Sequence, residues 1–235
     1  MSCANELTLK QAVPAFALTP ACEPPPPPPP PPPPSSSTQV AAGSDHSCAL
    51  LANTTVKCWG LNLFGALGNG TNTFSDNTAV TVTGIIGATA ITAGNFHSCA
   101  LLADTTVKCW GYNVFGALGN GTNTDSNTAV TVTGITGATA IAAGDNHSCA
   151  LLADATVKCW GYNAQGQLGN GTNTNSNTAV SVIGITGATA IAAGPFHSCA
   201  VLADTTVKCW GNNVHGSLGN GTNTNSNTPV NVIGL

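Results

Sequence analysis

Short stretches of alternating hydrophobic and polar residues run along most of the chain. In one region they read ATAITAG, HSCALLA, TVKCWG and TAVTVTGI, separated by clusters of asparagine, glycine and aspartate. Segments rich in β-branched and aromatic residues predict strands, and the clusters between them predict turns. The stretch GALGNGTNT holds three glycines and an Asn-Gly pair, so it is predicted as a loop. No helical period persists for longer than a turn, and the pattern therefore predicts an all-β fold.

The same pattern occurs four times in succession. A histidine opens each copy of HSCA, at positions 46, 97, 147 and 197. Gly94–Ala143 and Gly144–Ala193 are identical at 41 of 50 positions. Four strands per unit and a period near 50 are typical of propeller blades or a related array of stacked sheets. We therefore predict four blades, at about residues 38–87, 88–137, 138–187 and 188–235.

The unit AAGDNHSCALLADATVKCWGYNAQGQLGNGT resembles the regulator of chromosome condensation repeat family. The matching features are an Ala-Gly step, then His-Ser, Ala-Leu, Trp-Gly and finally GQLGNG. The variant with paired cysteines and CWG is similar to repeats in surface and secreted proteins. The resemblance covers Ser37 to Leu235 and implies a β-propeller-type array, usually of seven blades. Four units leave three arrangements open: an open arc, a compact four-bladed ring, or part of a longer propeller.

Two further segments precede the repeats. Residues 1–23 are predicted as an N-terminal tail that resembles a weak export signal. Its LTPAC sequence resembles a bacterial lipoprotein cleavage site, which would make Cys22 a lipidated membrane tether; an ordinary disordered tail is the alternative. Residues 24–37 are predicted as a linker, because Pro24–Pro34 is an unbroken run of eleven prolines that favours a stiff polyproline II helix.

Charge is scarce in this chain. Only 6% of residues are charged, there is no arginine, and the net charge is -4. Nucleic-acid binding depends on neutralising phosphates, so this composition argues against a nucleic-acid partner and against an anionic membrane surface. No stretch reaches the roughly 18 apolar residues of a transmembrane helix.

Each repeat carries two cysteines ten positions apart. If the hairpin between them has a three-residue loop, Cys99 lies opposite Cys109 in a non-hydrogen-bonded pair about 4.5 Å apart at Cα. A disulfide can span that separation. A loop of two or four residues would place the two side chains on opposite faces of the sheet. The length of the loop therefore decides the chemistry of the pair.

Three interpretations of these cysteines stay open. They form disulfides, remain buried free thiols, or bind zinc together with the nearby histidine. We favour disulfides and expect no metal; the pairs would be Cys48–Cys58, Cys99–Cys109, Cys149–Cys159 and Cys199–Cys209. Family repeats commonly have glycine at the third loop position, where φ is positive, and β-branched residues are strained there. This chain instead has Thr54, Thr105, Ala155 and Thr205.

Other repeated residues are interpreted as structural. The histidines have no consistent acidic partner, so we expect them to bind backbone groups at a strand start: His46, His97, His147 and His197. The tryptophans are expected to pack between neighbouring blades with the indole N–H anchored: Trp59, Trp110, Trp160 and Trp210. Loop residues that vary between copies are the candidate partner-binding patch, with neutral drift or packing under the loop as the alternative: Phe64, Phe96, Phe115 and Phe196.

These observations predict a non-enzymatic repeat scaffold that binds a protein or glycan partner through its loops. Paired cysteines favour an extracellular or cell-surface location, with the cytoplasm as the alternative. An enzyme is not expected, because the repeats offer no acid–base pair or nucleophile, and no cofactor is expected either. The family resemblance also implies two alternatives: guanine-nucleotide exchange on a small GTPase, and inhibition of a secreted enzyme.

Overall fold

The computed structural model describes residues 36–235, and these form four four-stranded antiparallel sheets. The predicted tail, the lipidation site at Cys22 and the proline run lie outside the described residues. Each sheet is an up-and-down meander in which sequential strands are neighbours. We call the sheets blades 1 to 4, in chain order.

The sixteen strands repeat one plan. Blade 1 consists of β1 (Ser37–Ala42), β2 (His46–Leu51), β3 (Val56–Leu61) and β4 (Ser75–Thr81). Blade 2 consists of β5 (Ala88–Ala93), β6 (His97–Leu102), β7 (Val107–Gly111) and β8 (Ser126–Thr131). Blade 3 consists of β9 (Ala138–Ala143), β10 (His147–Leu152), β11 (Val157–Gly161) and β12 (Ser176–Ser181). Blade 4 consists of β13 (Ala188–Ala193), β14 (His197–Leu202), β15 (Val207–Gly211) and β16 (Ser226–Asn231). The all-β architecture and the four-stranded repeat are as predicted.

The loop between the second and third strands has three residues in every blade. In blade 2 the Leu102 amide donates to the Thr106 carbonyl at 2.9 Å, which leaves residues 103–105 as the loop. Cys99 therefore lies directly opposite Cys109, with Cα atoms 4.0 Å apart. The same disulfide forms in all four blades, as predicted. Because these eight sulfur atoms are bonded in pairs, none is a thiolate that could ligate zinc.

The third loop residue adopts positive φ despite being threonine or alanine. The φ angles are 65° at Thr54, 66° at Thr105, 61° at Ala155 and 71° at Thr205. The Asp104 carboxylate braces this loop in blade 2, because its Oδ1 accepts from the Thr106 amide at 3.0 Å and the Thr106 hydroxyl at 2.6 Å. An Asx turn of this kind offsets part of the backbone strain.

The fourth strand begins earlier than the hydrophobic pattern predicts. We expected it to begin near the TAVTVTGI segment, but β8 begins at Ser126. The register shifts between Cys109 and Gly111, so that Gly111 pairs with Ser126. The Ser126 hydroxyl donates to the Thr128 carbonyl at 2.7 Å within this irregularity. A bulge of this kind bends the strand and shifts its register. The polar residues at the start of β8 therefore belong to the sheet, although the hydrophobic alternation does not predict this.

The hydrophobic core lies between successive blades. One buried cluster, for example, joins Leu50 and Leu67 of blade 1 to Ile91, Leu102 and Trp110 of blade 2. Two equivalent clusters join blade 2 to blade 3 and blade 3 to blade 4. All six residues of β6 are buried, because a neighbouring blade covers each face of that sheet. This explains why this strand carries apolar side chains on both faces over the run Cys99 to Leu102.

Candidate functional site

The repeated histidines connect each blade to the next one. The Nε2 atom of His46 lies 2.7 Å from the Ser98 hydroxyl, and the His97–Ser148 and His147–Ser198 pairs repeat the contact at 2.8 Å. These groups are buried. The partner of Nε2 is a serine hydroxyl in the next blade, a contact that we did not predict from the sequence. Three of the four histidines therefore hold a junction between blades.

Burial keeps these histidines neutral. Loss of solvent lowers the pKa of His46 to about 4 and the pKa values of His97 and His147 to about 3. A general base that works at neutral pH needs a pKa near 7, roughly the operating pH. The geometry and the pKa values thus agree on a structural role.

The tryptophans of blades 2 to 4 make a second contact between blades. Their indole Nε1 atoms donate to backbone carbonyls of the preceding blade at 2.8 to 2.9 Å: Trp110 to Ala66, Trp160 to Ala117 and Trp210 to Gln167. All three side chains are fully buried and cannot form a ligand cage. A lysine on the same strand adds a third contact, since Lys108 Nζ donates to the Gly84 carbonyl at 3.0 Å and Lys158 Nζ donates to the Gly134 carbonyl at 3.0 Å.

Five aromatic rings form a continuous row across blades 1 to 3. We call this the aromatic row: Phe64, Phe96, Tyr112, Phe115 and Tyr162. Adjacent ring centroids lie 4.9 to 6.5 Å apart with tilted or edge-to-face geometry. Every ring is partly exposed. Two flanking side chains, Leu63 and Val114, are 49% and 50% exposed and extend the apolar surface.

The structure thus brings together three of the four predicted binding residues. Phe196 is 40% exposed but stacks with no ring among residues 36–235. The row ends at blade 3, where Gln165 replaces the phenylalanine and accepts a hydrogen bond from Asn225 Nδ2 at 2.6 Å. Tyr112 and Tyr162 were missed from the sequence. Their positions also vary between copies, with Leu61 and Asn212 in the other blades, so that variation was an available signal.

A small cavity opens at the same end of the sheets as the aromatic row. Loops after the first strand and after the third strand both lie at that end, because the strands of a meander alternate in direction. The cavity has a volume of about 270 Å³ and lies between the four loops after the first strands. Alanine and glycine line most of it, with Ser44, Asn95 and Asp145 as polar groups. Burial raises the pKa of the Asp145 carboxyl.

Two other features, a metal-ligand cluster and a membrane-spanning helix, do not occur within residues 36–235. No three metal-ligating side chains come together in that region. The same region contains no helix that is long and apolar enough to cross a membrane.

Stacked four-stranded sheets with tryptophan-anchored junctions define a propeller-type repeat protein. A family model described as the regulator of chromosome condensation (RCC1) repeat matches residues 38–66, 88–117, 138–167 and 188–217. A second model of that description matches residues 106–151 and 155–201. The chain belongs to the RCC1 repeat family.

Known proteins share part of this architecture. The human probable E3 ubiquitin-protein ligase HERC4 is 36% identical over 89 residues, which is 37% of this chain and 8% of HERC4. Yeast RCC1 (Prp20), solved bound to Kap60, superimposes with a TM-score of 0.75 at 21% identity, over 85% of this chain and 49% of that one. The ectodomain of the Physcomitrella patens receptor kinase CR4 superimposes with a TM-score of 0.51 at 25% identity, over 75% of this chain and 39% of the ectodomain. The chain therefore spans half or less of the length of these proteins.

Proposed function

We propose that this chain is a non-enzymatic scaffold outside the cell that binds a protein partner through the aromatic row. The row carries the proposal, because it is the largest exposed set of aromatic side chains described above and belongs to none of the three junction clusters. Apart from the partly exposed Trp59, His197 and Cys199, the repeated histidines, tryptophans and cysteines are buried in structural contacts.

The chemistry of the row suits a protein interface. Partly exposed tyrosine and phenylalanine side chains supply large contact areas at small entropic cost, and such residues dominate the energetics of interfaces. Exposed Leu63 and Val114 beside the row would be covered by the same partner. With only 6% charged residues, the chain offers little electrostatic steering. We therefore expect an apolar, shape-dependent contact.

Two observations support an extracellular location. Four disulfides are stable in oxidising compartments and are rare in the cytosol. The fold also occurs in the ectodomain of a receptor kinase. Binding of a glycan, nucleotide exchange on a small GTPase and inhibition of a secreted enzyme are the competing proposals.

The repeats themselves supply conservative substitutions for a test. Phe64→Gln and Phe115→Gln introduce the residue found at Gln165, Phe96→Asn introduces the residue found at Asn146, and Tyr112→Asn introduces the residue found at Asn212. Each substitution exists at the same repeat position of another blade, so the folded array accommodates it. The matched control is Ile86→Thr, which removes an 85% exposed side chain where blade 2 has Thr136.

Binding of the purified chain is measured on arrays of extracellular protein domains, secreted enzymes, small GTPases and glycans. We expect the unsubstituted chain to bind a protein on the extracellular array. The fourfold variant, which carries all four of these substitutions, should bind that protein with at least about tenfold lower affinity, equivalent to about 1.4 kcal/mol. The Ile86→Thr control should bind normally. Equal binding by the fourfold variant, or binding to glycans or GTPases alone, refutes the proposal.

A further inference from the structure

Every junction between blades uses the same three hydrogen bonds. Each blade turns a forward face to the next blade and a backward face to the preceding one. The forward face contributes the histidine Nε2 and two backbone carbonyls. The backward face contributes the serine hydroxyl, the indole N–H and the lysine ammonium. The Trp160 and Lys158 side chains of blade 3, for example, donate to Ala117 and Gly134 of blade 2.

The forward face of blade 4 has no blade against it among residues 36–235. His197 is only half-buried, and its Nε2 atom has no hydrogen-bond partner within that range. Val201 is 38% exposed, whereas the equivalent Leu101 and Leu151 are 5% and 6% exposed. An apolar groove of about 100 Å³ runs along this face, lined by Ala190, Ile191, Ala192, Cys199, Ala200 and Val201. Within residues 36–235, the apolar half of a junction on blade 4 is therefore left uncovered.

The backward face of blade 1 presents the other half. Ser47 and Trp59 are partly exposed, although the equivalent Ser98 and Trp110 are both fully buried. The Trp59 indole N–H and the Lys57 ammonium find no acceptor within residues 36–235, unlike the equivalent groups of blades 2 and 3. The two end faces thus hold matching donors and acceptors that have no partner in the part of the chain that the structure describes.

We propose that the forward face of blade 4 docks onto the backward face of blade 1 in a second copy of this chain. By equivalence with the internal junctions, His197 Nε2 would pair with Ser47 Oγ. The Trp59 indole would donate to the Ser217 carbonyl, and Lys57 would donate to the Gly234 carbonyl. The occupant is a second copy because its blade 1 carries the complement that three internal junctions already use. This contact is heterologous, so it builds head-to-tail assemblies.

This fourth junction lacks a hydrogen bond that two of the three internal junctions have. The amides of Asn95 and Asp145 donate to the loop of the next blade, at 3.1 and 3.2 Å. Pro195 occupies the same position in blade 4 and has no N–H to donate. The internal junctions are also intramolecular, whereas the proposed one loses translational and rotational freedom on association. The assembly should therefore be reversible and should depend on concentration.

The test is the mass of the full chain in solution, measured by sedimentation across a wide concentration range. We expect the mass to rise at least twofold with concentration. Val201→Asp places a charge on the forward face and should keep the chain monomeric. The matched control is Ile183→Asp, at a side chain that is 53% exposed outside this groove, and it should associate normally.

Mixing two blocked variants identifies the orientation. Trp59→Asp blocks only the backward face, and Ser47→Asp replaces it if the first variant does not fold by circular dichroism. Each variant alone should be monomeric, whereas a mixture with Val201→Asp should form a 1:1 dimer through the two intact faces. A monomeric unsubstituted chain, oligomers that persist in Val201→Asp, or no dimer in the mixture overturns the proposal. None of these outcomes depends on the aromatic row.

Discussion

Replacing Ala155 with glycine should stabilise the protein. Ala155 is the third residue of the blade 3 hairpin loop and has a φ of 61°, a left-handed conformation that side chains disfavour. Glycine adopts this conformation without steric cost. Ala155 is the best of the four positions for the test, since only a methyl group is removed. At Thr105 the same change would also remove the hydroxyl that accepts from the Gly137 amide at 3.1 Å.

The expected gain is the balance of two opposing effects. A non-glycine residue in the left-handed region costs about 1–2 kcal/mol. Glycine also lowers the free energy of unfolding by roughly 0.4–1 kcal/mol, because it increases the conformational freedom of the unfolded chain. The Cys149–Cys159 disulfide closes this hairpin in the unfolded state as well, which reduces that entropic penalty. We expect a net stabilisation of about 1 kcal/mol, or roughly 2–4 °C in Tm for an array of this size.

The measurement is thermal and guanidinium unfolding with the disulfides intact. The control is Ala153→Gly, at the first residue of the same loop, which is exposed and does not have positive φ. That change should destabilise by about 0.4–1 kcal/mol, because only the entropic effect remains. If Ala155→Gly destabilises as much as Ala153→Gly, the backbone strain inferred from φ is not present.

Three further predictions concern the junctions and the disulfides. The pKa of His97 is about 3 in the folded protein and 6.5 ordinarily, so the unfolded state binds more protons than the folded state as the pH falls from 6.5 towards 3. The stability that this residue contributes should be complete above pH 6.5 and should be lost below it at up to ~1.4 kcal/mol per pH unit. His97→Gln should therefore flatten a plot of Tm against pH. Trp110→Phe leaves the buried Ala66 carbonyl of blade 1 without its donor and should cost about 1–3 kcal/mol in chemical denaturation, whereas Trp59→Phe, which breaks no such bond within residues 36–235, should cost less. Replacing both Cys149 and Cys159 with alanine should lower the unfolding free energy by about 2–3 kcal/mol, and an unchanged midpoint would show that the crosslink adds nothing.

Much of the fold follows from local sequence patterns. The repeat period, the alternating segments and the Asn-Gly turns predict four sheets of four strands, because each depends on residues close together in the chain. The cysteine pair is also a local problem, since a three-residue loop places Cys99 opposite Cys109. The beginning of β8 was missed because a bulge at Trp110 changes the register, and alternation does not detect a bulge.

The contacts between blades were predicted only in part. Packing of the tryptophans between blades was expected, and Trp110, Trp160 and Trp210 pack in this way, but the partner residues were not predicted. His97 and Ser148 are 51 residues apart, and the short range of sequence patterns does not show which residues meet across that distance. The aromatic row could not be predicted for the same reason, because its residues come from different blades. Phe64 and Tyr112 approach to 4.9 Å only because stacking superimposes equivalent loops of neighbouring blades.

The amino-acid sequence by itself determined the strands, the turns and the disulfide pairing, since hydrogen bonds between adjacent strands and short loops set these features. Stacking of the blades decided which side chains are buried. The same Trp-Gly motif is partly exposed at Trp59 and fully buried at Trp110, because only the second has a blade behind it. Tertiary structure alone therefore separates the residues that hold the array together from those left available to a partner.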